Sequence, residues 1–114
     1  MPVIERGEIS VKVDDEGYLL NFKDWNEEVA SVLAEREGIK GLVKDQMDIL
    51  NFIRDYYERY SFFPVLRAVC KNLHQPKDCV KQEFMSPVLA WKISGLPKPD
   101  EVMMNLLEHG ETPT

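Results

Sequence analysis

A chain of 114 residues with 44% apolar residues, 10% aromatics and two cysteines has the length of one domain and the apolar mass of one core. That composition excludes wholesale disorder and a disulfide framework. Twenty acids against fourteen bases leave a net charge of -6, which excludes a surface coated in phosphate-binding groups.

In chain order, the first element is a small β-hairpin over about 8–22. Ile9, Val11 and Val13 alternate with Ser10, Lys12 and Asp14, the period of a half-buried strand. Asp14-Asp15-Glu16-Gly17 reads as the turn and Tyr18-Leu19-Leu20 as the returning strand. Helices follow over about 24–95 and must cover the hairpin, which is marginal alone. Asp24 with Glu27 suggests a capping box for the first, whose stripe is Val29, Val32 and Leu33 with Trp25 and whose stop is Gly38. The second spans about 44–60 on Met47, Leu50, Ile53, Tyr57 and Tyr60, widened by Ile49, Phe52 and Tyr56. The third starts at Pro64 and turns Leu66, Val69, Cys70 and Leu73 inward. A short fourth follows Pro76 through Val80 to Phe84. Ser86-Pro87 opens a fifth that stops at Gly95. Leu96-Pro97-Lys98-Pro99 must be extended. These elements make one domain over 1–99. The tail, 100–114, reads as a short amphipathic helix capped by Asp100, stopped at Gly110 and followed by a disordered end. Its stripe of Val102, Met103, Leu106 and Leu107 needs a receiving groove, either the chain's own or a second copy's in a homodimer.

Little in the chain suggests catalysis. His74 and His109 are the only histidines, and no HExxH, GxSxG, P-loop or GxGxxG is present, so neither a metal nor a cofactor is expected. The carboxylates read as solvated surface. The aromatic run Tyr56, Tyr57, Tyr60, Phe62 and Phe63 reads as core, because Asp55 and Glu58 have the wrong sign for a nucleic-acid platform. Cys70 reads as a small buried thiol. Cys79, beside Asp78 at a helix start, is the candidate for a reactive one. Nine residues apart across Pro76, the two are not expected to form a disulfide, in keeping with a reducing, cytoplasmic setting. No apolar run approaches the ~20 residues of a membrane helix, and MPVIERGEIS shows no basic-then-apolar leader.

The charge is unevenly spread. Residues 61–98 carry six bases (Arg67, Lys71, Lys77, Lys81, Lys92 and Lys98) against Asp78 and Glu83, a local excess of +4 on an acidic chain. Arg67, Lys71, Lys92 and Lys98 are the candidates for a partner-facing patch.

Four blocks carry a resemblance. Asp14-Asp15-Glu16-Gly17-Tyr18-Leu19 with Asp24-Trp25, the run from Asp48 to Tyr57, Pro64-Val65-Leu66-Arg67, and Gly95-Leu96-Pro97-Lys98-Pro99 stand in the order seen in the DsrC/TusE family of sulfur-relay proteins, which the chain resembles. The resemblance implies a mainly α fold: a small orthogonal helical bundle with an N-terminal β-hairpin and a helix-turn-helix-like element. It also implies a cytoplasmic carrier of persulfide sulfur on a mobile C-terminal arm, working with sulfite reductase or a sulfur-relay complex. The family's resolving cysteine, just before GLPKP, corresponds to Trp91, and its arm cysteine to Val102. The segment between the third and fifth helices looks shorter than is usual in the family. The second helix opens on Val43-Lys44-Asp45 where the family has a capping hydroxyl. The scaffold is kept and the carrier thiols are missing. The resulting expectation is a non-enzymatic binding or regulatory partner. Its alternatives are a carrier that uses Cys79 or Cys70, and a nucleic-acid-binding regulator that uses the helix-turn-helix-like element.

Overall fold

The N-terminal hairpin pairs strand β1 (Val3–Arg6) antiparallel with β2 (Ile9–Lys12), in the register Ile4 opposite Val11 and Arg6 opposite Ile9. The structure is a computed structural model that describes residues 3–62, 64 and 66–109, the side chains of Leu66, Arg67 and His109 excepted. Phe63, Val65, the Gly110 stop and the disordered end expected over 110–114 lie outside the described residues. The partner of β2 thus precedes it in the chain. The expected return strand over 18–20 shrinks to a single bridge between Val13 and Leu19. β1 escapes a pattern reading because only Ile4 of its four side chains is buried.

Helices α1 (Glu27–Arg36) and α2 (Lys44–Tyr60) follow, then α3 (Leu66–Asn72), α4 (Cys79–Phe84), α5 (Pro87–Ile93) and α6 (Glu101–His109). The cap of α1 is Asn26, whose Oδ1 accepts from Val29 N–H at 2.8 Å. Asp24 instead closes a short 3-10 turn over Phe22–Asp24. α2 starts on Val43 without a side-chain cap, and Gln46 Oε1 accepts the Val43 N–H at 2.8 Å in compensation. Ser86 caps α5, and Asp100 Oδ1 caps α6 by accepting from Met103 N–H at 2.7 Å.

Two apolar clusters share α1. Val29, Val32 and Leu33 face the hairpin with Ile4, Val11, Val13 and Leu19. Ala30 and Ala34 turn the other side of α1 to the main core. That core holds Ile49, Leu50 and Ile53 of α2 with Val69, Phe84, Trp91, Ile93 and Leu96, all fully or almost fully buried. The small alanine side chains let α1 approach closely, and Trp25 packs on both clusters. The aromatic run is only partly core: Tyr57 is half-buried, while Tyr60 and Phe62 are 61% and 46% exposed.

α6 packs on α5 of its own chain. Met103 and Leu107 are buried in the main core and Leu106 is half-buried against it, while Val102 is 68% exposed. Each full burial contributes roughly 1.5–3 kcal/mol, enough to hold a nine-residue helix that is marginal alone. Met103 and Leu107 are therefore already spent within one chain, so the four-residue stripe is not a free dimer surface.

Candidate functional site at the root of the C-terminal segment

Residues 91–103 leave α5, run extended through Leu96–Asp100 and enter α6. Side chains from the distant sequence blocks converge on this root. Gly95 has φ +73, a left-handed conformation. A Cβ there would lie 3.0 Å from Trp25 Cγ, closer still to Trp25 Cδ1, and 3.1 Å from Leu19 Cδ2. Glycine is required on both counts. Trp25 Nε1 donates to the Ile93 carbonyl at 2.8 Å. Ser94, the buried polar residue of this turn, donates from Oγ to the Ala90 carbonyl at 2.6 Å.

Arg54 of α2 is the central clamp. Its Nη1 donates to the Ser94 carbonyl and its Nη2 to the Phe22 carbonyl, both at 2.9 Å. The guanidinium lies 3.8 Å from the Phe22 ring centroid and 4.4 Å from that of Trp25. Burial pulls Arg54 down to about 10 against the opposing pull of Glu58 and Asp55, so it stays a cation at neutral pH. Sequence inspection missed Arg54, although a signal existed: it falls four residues after Leu50 and three before Tyr57, on the buried stripe.

Trp91 is buried, donates from Nε1 to the Pro97 carbonyl at 2.6 Å, and meets Tyr57 edge-on with centroids 5.6 Å apart. In the 14–17 turn, Asp14 is a turn former. Its Oδ1 accepts from the N–H of Glu16 and of Tyr18, both at 2.9 Å. The turn presents Tyr18, whose phenol is raised by burial first, then by the carboxylates of Glu16, Asp14, Glu37 and Glu108.

Two of the four expected patch cations are engaged within the chain. Lys98 pairs with Glu16. Lys92 donates to Glu37 at 3.3 Å and lies 4.9 Å from the Tyr18 ring centroid. Both therefore brace the root against the hairpin and α1. Lys71 is exposed on α3, and the side chain of Arg67 lies outside the described residues.

The cysteines overturn an expectation. Cys70 and Cys79 form a disulfide with Cα atoms 5.8 Å apart, within the reach of about 7 Å. The chain folds back because α3 ends in a Schellman turn. His74 stands at φ +58, with Gln75 N–H donating to Cys70 C=O and His74 N–H to Lys71 C=O. Pro76 then starts a further turn closed by Cys79 N–H. Cys79 is 1% exposed, so it is not an accessible thiol. Among the described residues no group of three or more His, Cys, Asp or Glu could hold a metal, and no helix is long and apolar enough to cross a membrane.

Comparison with known proteins identifies what this arrangement resembles. The family described as "DsrC like protein" matches residues 5–103. The dissimilatory-type sulfite reductase subunit gamma of Nitratidesulfovibrio vulgaris (strain Hildenborough) is 37% identical over 92 residues, covering 79% of this chain and 88% of that protein. Sulfurtransferase TusE of Yersinia pseudotuberculosis is 34% identical over 105 residues, covering 78% and 90%. The crystal structure of the oxidized gamma-subunit (DsrC) from Archaeoglobus fulgidus superimposes with a TM-score of 0.73 at 28% identity, covering 87% of this chain and 97% of that one.

Proposed function

The chain belongs to the DsrC-like protein family, and from that membership we propose that it is a protein of sulfur metabolism that acts by binding rather than by carrying sulfur. Its proposed setting is the cytoplasm, and its proposed partner is a sulfite reductase or a sulfur-relay complex. A carrier needs a thiolate on a segment free to enter a partner's active site. Trp91 and Val102 stand where the resemblance puts the family's two working cysteines, and the chain's only cysteines are Cys70 and Cys79.

The observation that carries this reading is the fastening of the C-terminal root. Arg54 and Trp25 hold its backbone at Ser94 and Ile93, Trp91 holds it at Pro97, and α6 buries Met103 and Leu107. A segment held at three carbonyls and two apolar anchors does not swing as an arm. Buried, joined cysteines weigh against a relocated carrier at Cys79 or Cys70. Ion-paired Lys92 and Lys98 weigh against a nucleic-acid surface, and Lys71 and Arg67 remain the proposed partner-facing cations.

Sulfur loading tests the reading. The reduced protein, incubated with a persulfide-bearing sulfurtransferase, is expected to gain no sulfur atom by mass, while Val102→Cys, at an exposed position, gains one. The wild-type chain is still expected to retain a DsrC-binding sulfite reductase or a TusE-binding relay complex in pull-down. Stoichiometric loading of the wild type, or failure to retain either complex, would overturn the proposal.

A further inference from the structure

We propose that Cys70 and Cys79 form a redox latch that fastens α3 and α4 to each other when oxidised and lets this pair of helices open locally when reduced. The proposal is independent of the binding reading above, since it rests on the disulfide and on the two short helices that it joins.

The latch joins two weak elements. α3 has seven residues and α4 six, far below the length at which a helix holds by itself. The segment is punctuated by unfavourable backbone. Ser61 ends α2 at φ +54, His74 ends α3 at φ +58 and Met85 ends α4 at φ +67, all at positive φ without being glycine. Among the described residues two polar ties join it to α2: Gln75 Nε2 donates to the Asp45 carbonyl at 3.2 Å, and Gln46 Nε2 to the Glu83 carbonyl at 3.1 Å. Among the described residues the apolar hold is through Val69, Leu73, Val80 and Phe84 with the two cysteines themselves. α3 and α4 are therefore the part of the bundle expected to open first.

Burial makes the switch conditional. The cysteines are 0% and 1% exposed, so an incoming thiolate cannot reach either sulfur while the helices are closed. Exchange thus waits on opening. In the reducing direction, a dithiol attacks the disulfide, passes through a mixed disulfide, and leaves as a cyclic disulfide. Two electrons and two protons arrive on Cys70 and Cys79 as thiols. In the oxidising direction a low-molecular-weight disulfide accepts those two electrons and leaves as two thiols. Between opening events either state persists. In the oxidised state Lys71 and Phe62, exposed on or beside α3, are presented on a fixed surface; in the reduced state that surface loosens.

Native-state hydrogen exchange with mass spectrometry on the full chain tests this. Samples are oxidised with glutathione disulfide or reduced with dithiothreitol, beside a Cys70→Ala/Cys79→Ala variant. The oxidised protein is expected to show the mass of an intramolecular disulfide. Its reduction should be on the order of 100-fold slower in buffer than in denaturing urea. Reduction should speed exchange in α3 and α4 by up to about 100-fold, the scale of a loop constraint of this size, with α2 amides at Ile49–Ile53 changing far less. The double variant should behave as the reduced protein. The latch is overturned if no disulfide forms, if α3 and α4 exchange equally in both states, or if reduction speeds all amides alike. The last result would mark a plain staple acting on the unfolded chain.

Discussion

Replacing Gly95 by alanine tests the geometry of the C-terminal root, and Gly41→Ala supplies the matching control. The two glycines have nearly the same torsion, φ +73 and φ +70. An added methyl group therefore meets a similar left-handed cost at both, about 1–2 kcal/mol, and a similar gain from stiffening the unfolded chain. Their surroundings differ. Nothing lies within 4 Å of a Cβ at Gly41, whereas at Gly95 the same atom falls 3.0 Å from Trp25 Cγ and 3.1 Å from Leu19 Cδ2. Neither neighbour is free to yield. Trp25 is bonded to the Ile93 carbonyl and lies beside the Arg54 guanidinium, and Leu19 is 1% exposed. Overpacking of this kind costs about 1–3 kcal/mol. The difference between the two variants isolates it, because the backbone terms cancel. With a urea slope of roughly 1–3 kcal/mol per molar for a small domain, Gly95→Ala should unfold about 1 M earlier than Gly41→Ala. Equilibrium urea titrations followed by circular dichroism read this directly. Midpoints that coincide would refute the claim that Trp25 and Leu19 close on Gly95.

Two other outcomes follow from the geometry. Asn26→Ala should cost about 1 kcal/mol of stability, while Asp24→Ala leaves the urea midpoint nearly in place; equal losses would return the cap of α1 to Asp24. Tyr18 favours its protonated form when folded, its phenol being raised above 10.0 by burial and nearby carboxylates. Below that pH it contributes no slope. Above it the unfolded chain releases the proton first, so stability falls as pH rises. Tyr18→Phe should flatten this alkaline limb in a pH series of thermal melts, and an unchanged limb would place the slope elsewhere.

What could be read from the chain depended on how local the cause was. α2 follows from seventeen residues of unbroken period, and α5 and α6 from single capping residues, Ser86 and Asp100. The family blocks led to the right fold and to Trp91 and Gly95. Causes spread over the chain stayed hidden. β1 offers one buried side chain and pairs in a direction that the alternation of β2 does not encode. The Ala30–Ala34 face of α1 is silent because alanine marks no stripe, yet it sets how near the helix comes to the core. The disulfide depends on a left-handed histidine, a conformation no composition rule anticipates. The charge excess of residues 61–98 is halved where Lys92 and Lys98 meet Glu37 and Glu16, acids more than fifty residues away.

The chain has two tryptophans, and both indole N–H groups are bonded within the same five residues, Trp25 to the carbonyl of Ile93 and Trp91 to that of Pro97. The intrinsic fluorescence of this protein is therefore a readout of one place. Any event that lifts the C-terminal root, whether a partner's grip, a denaturant or a substitution, frees both indoles from their acceptors. Emission should then shift without an added dye. The hairpin and the α3–α4 segment contain no tryptophan, so they can move without a direct optical trace. A partner that docks on the root and one that docks elsewhere are thus distinguishable in a cuvette.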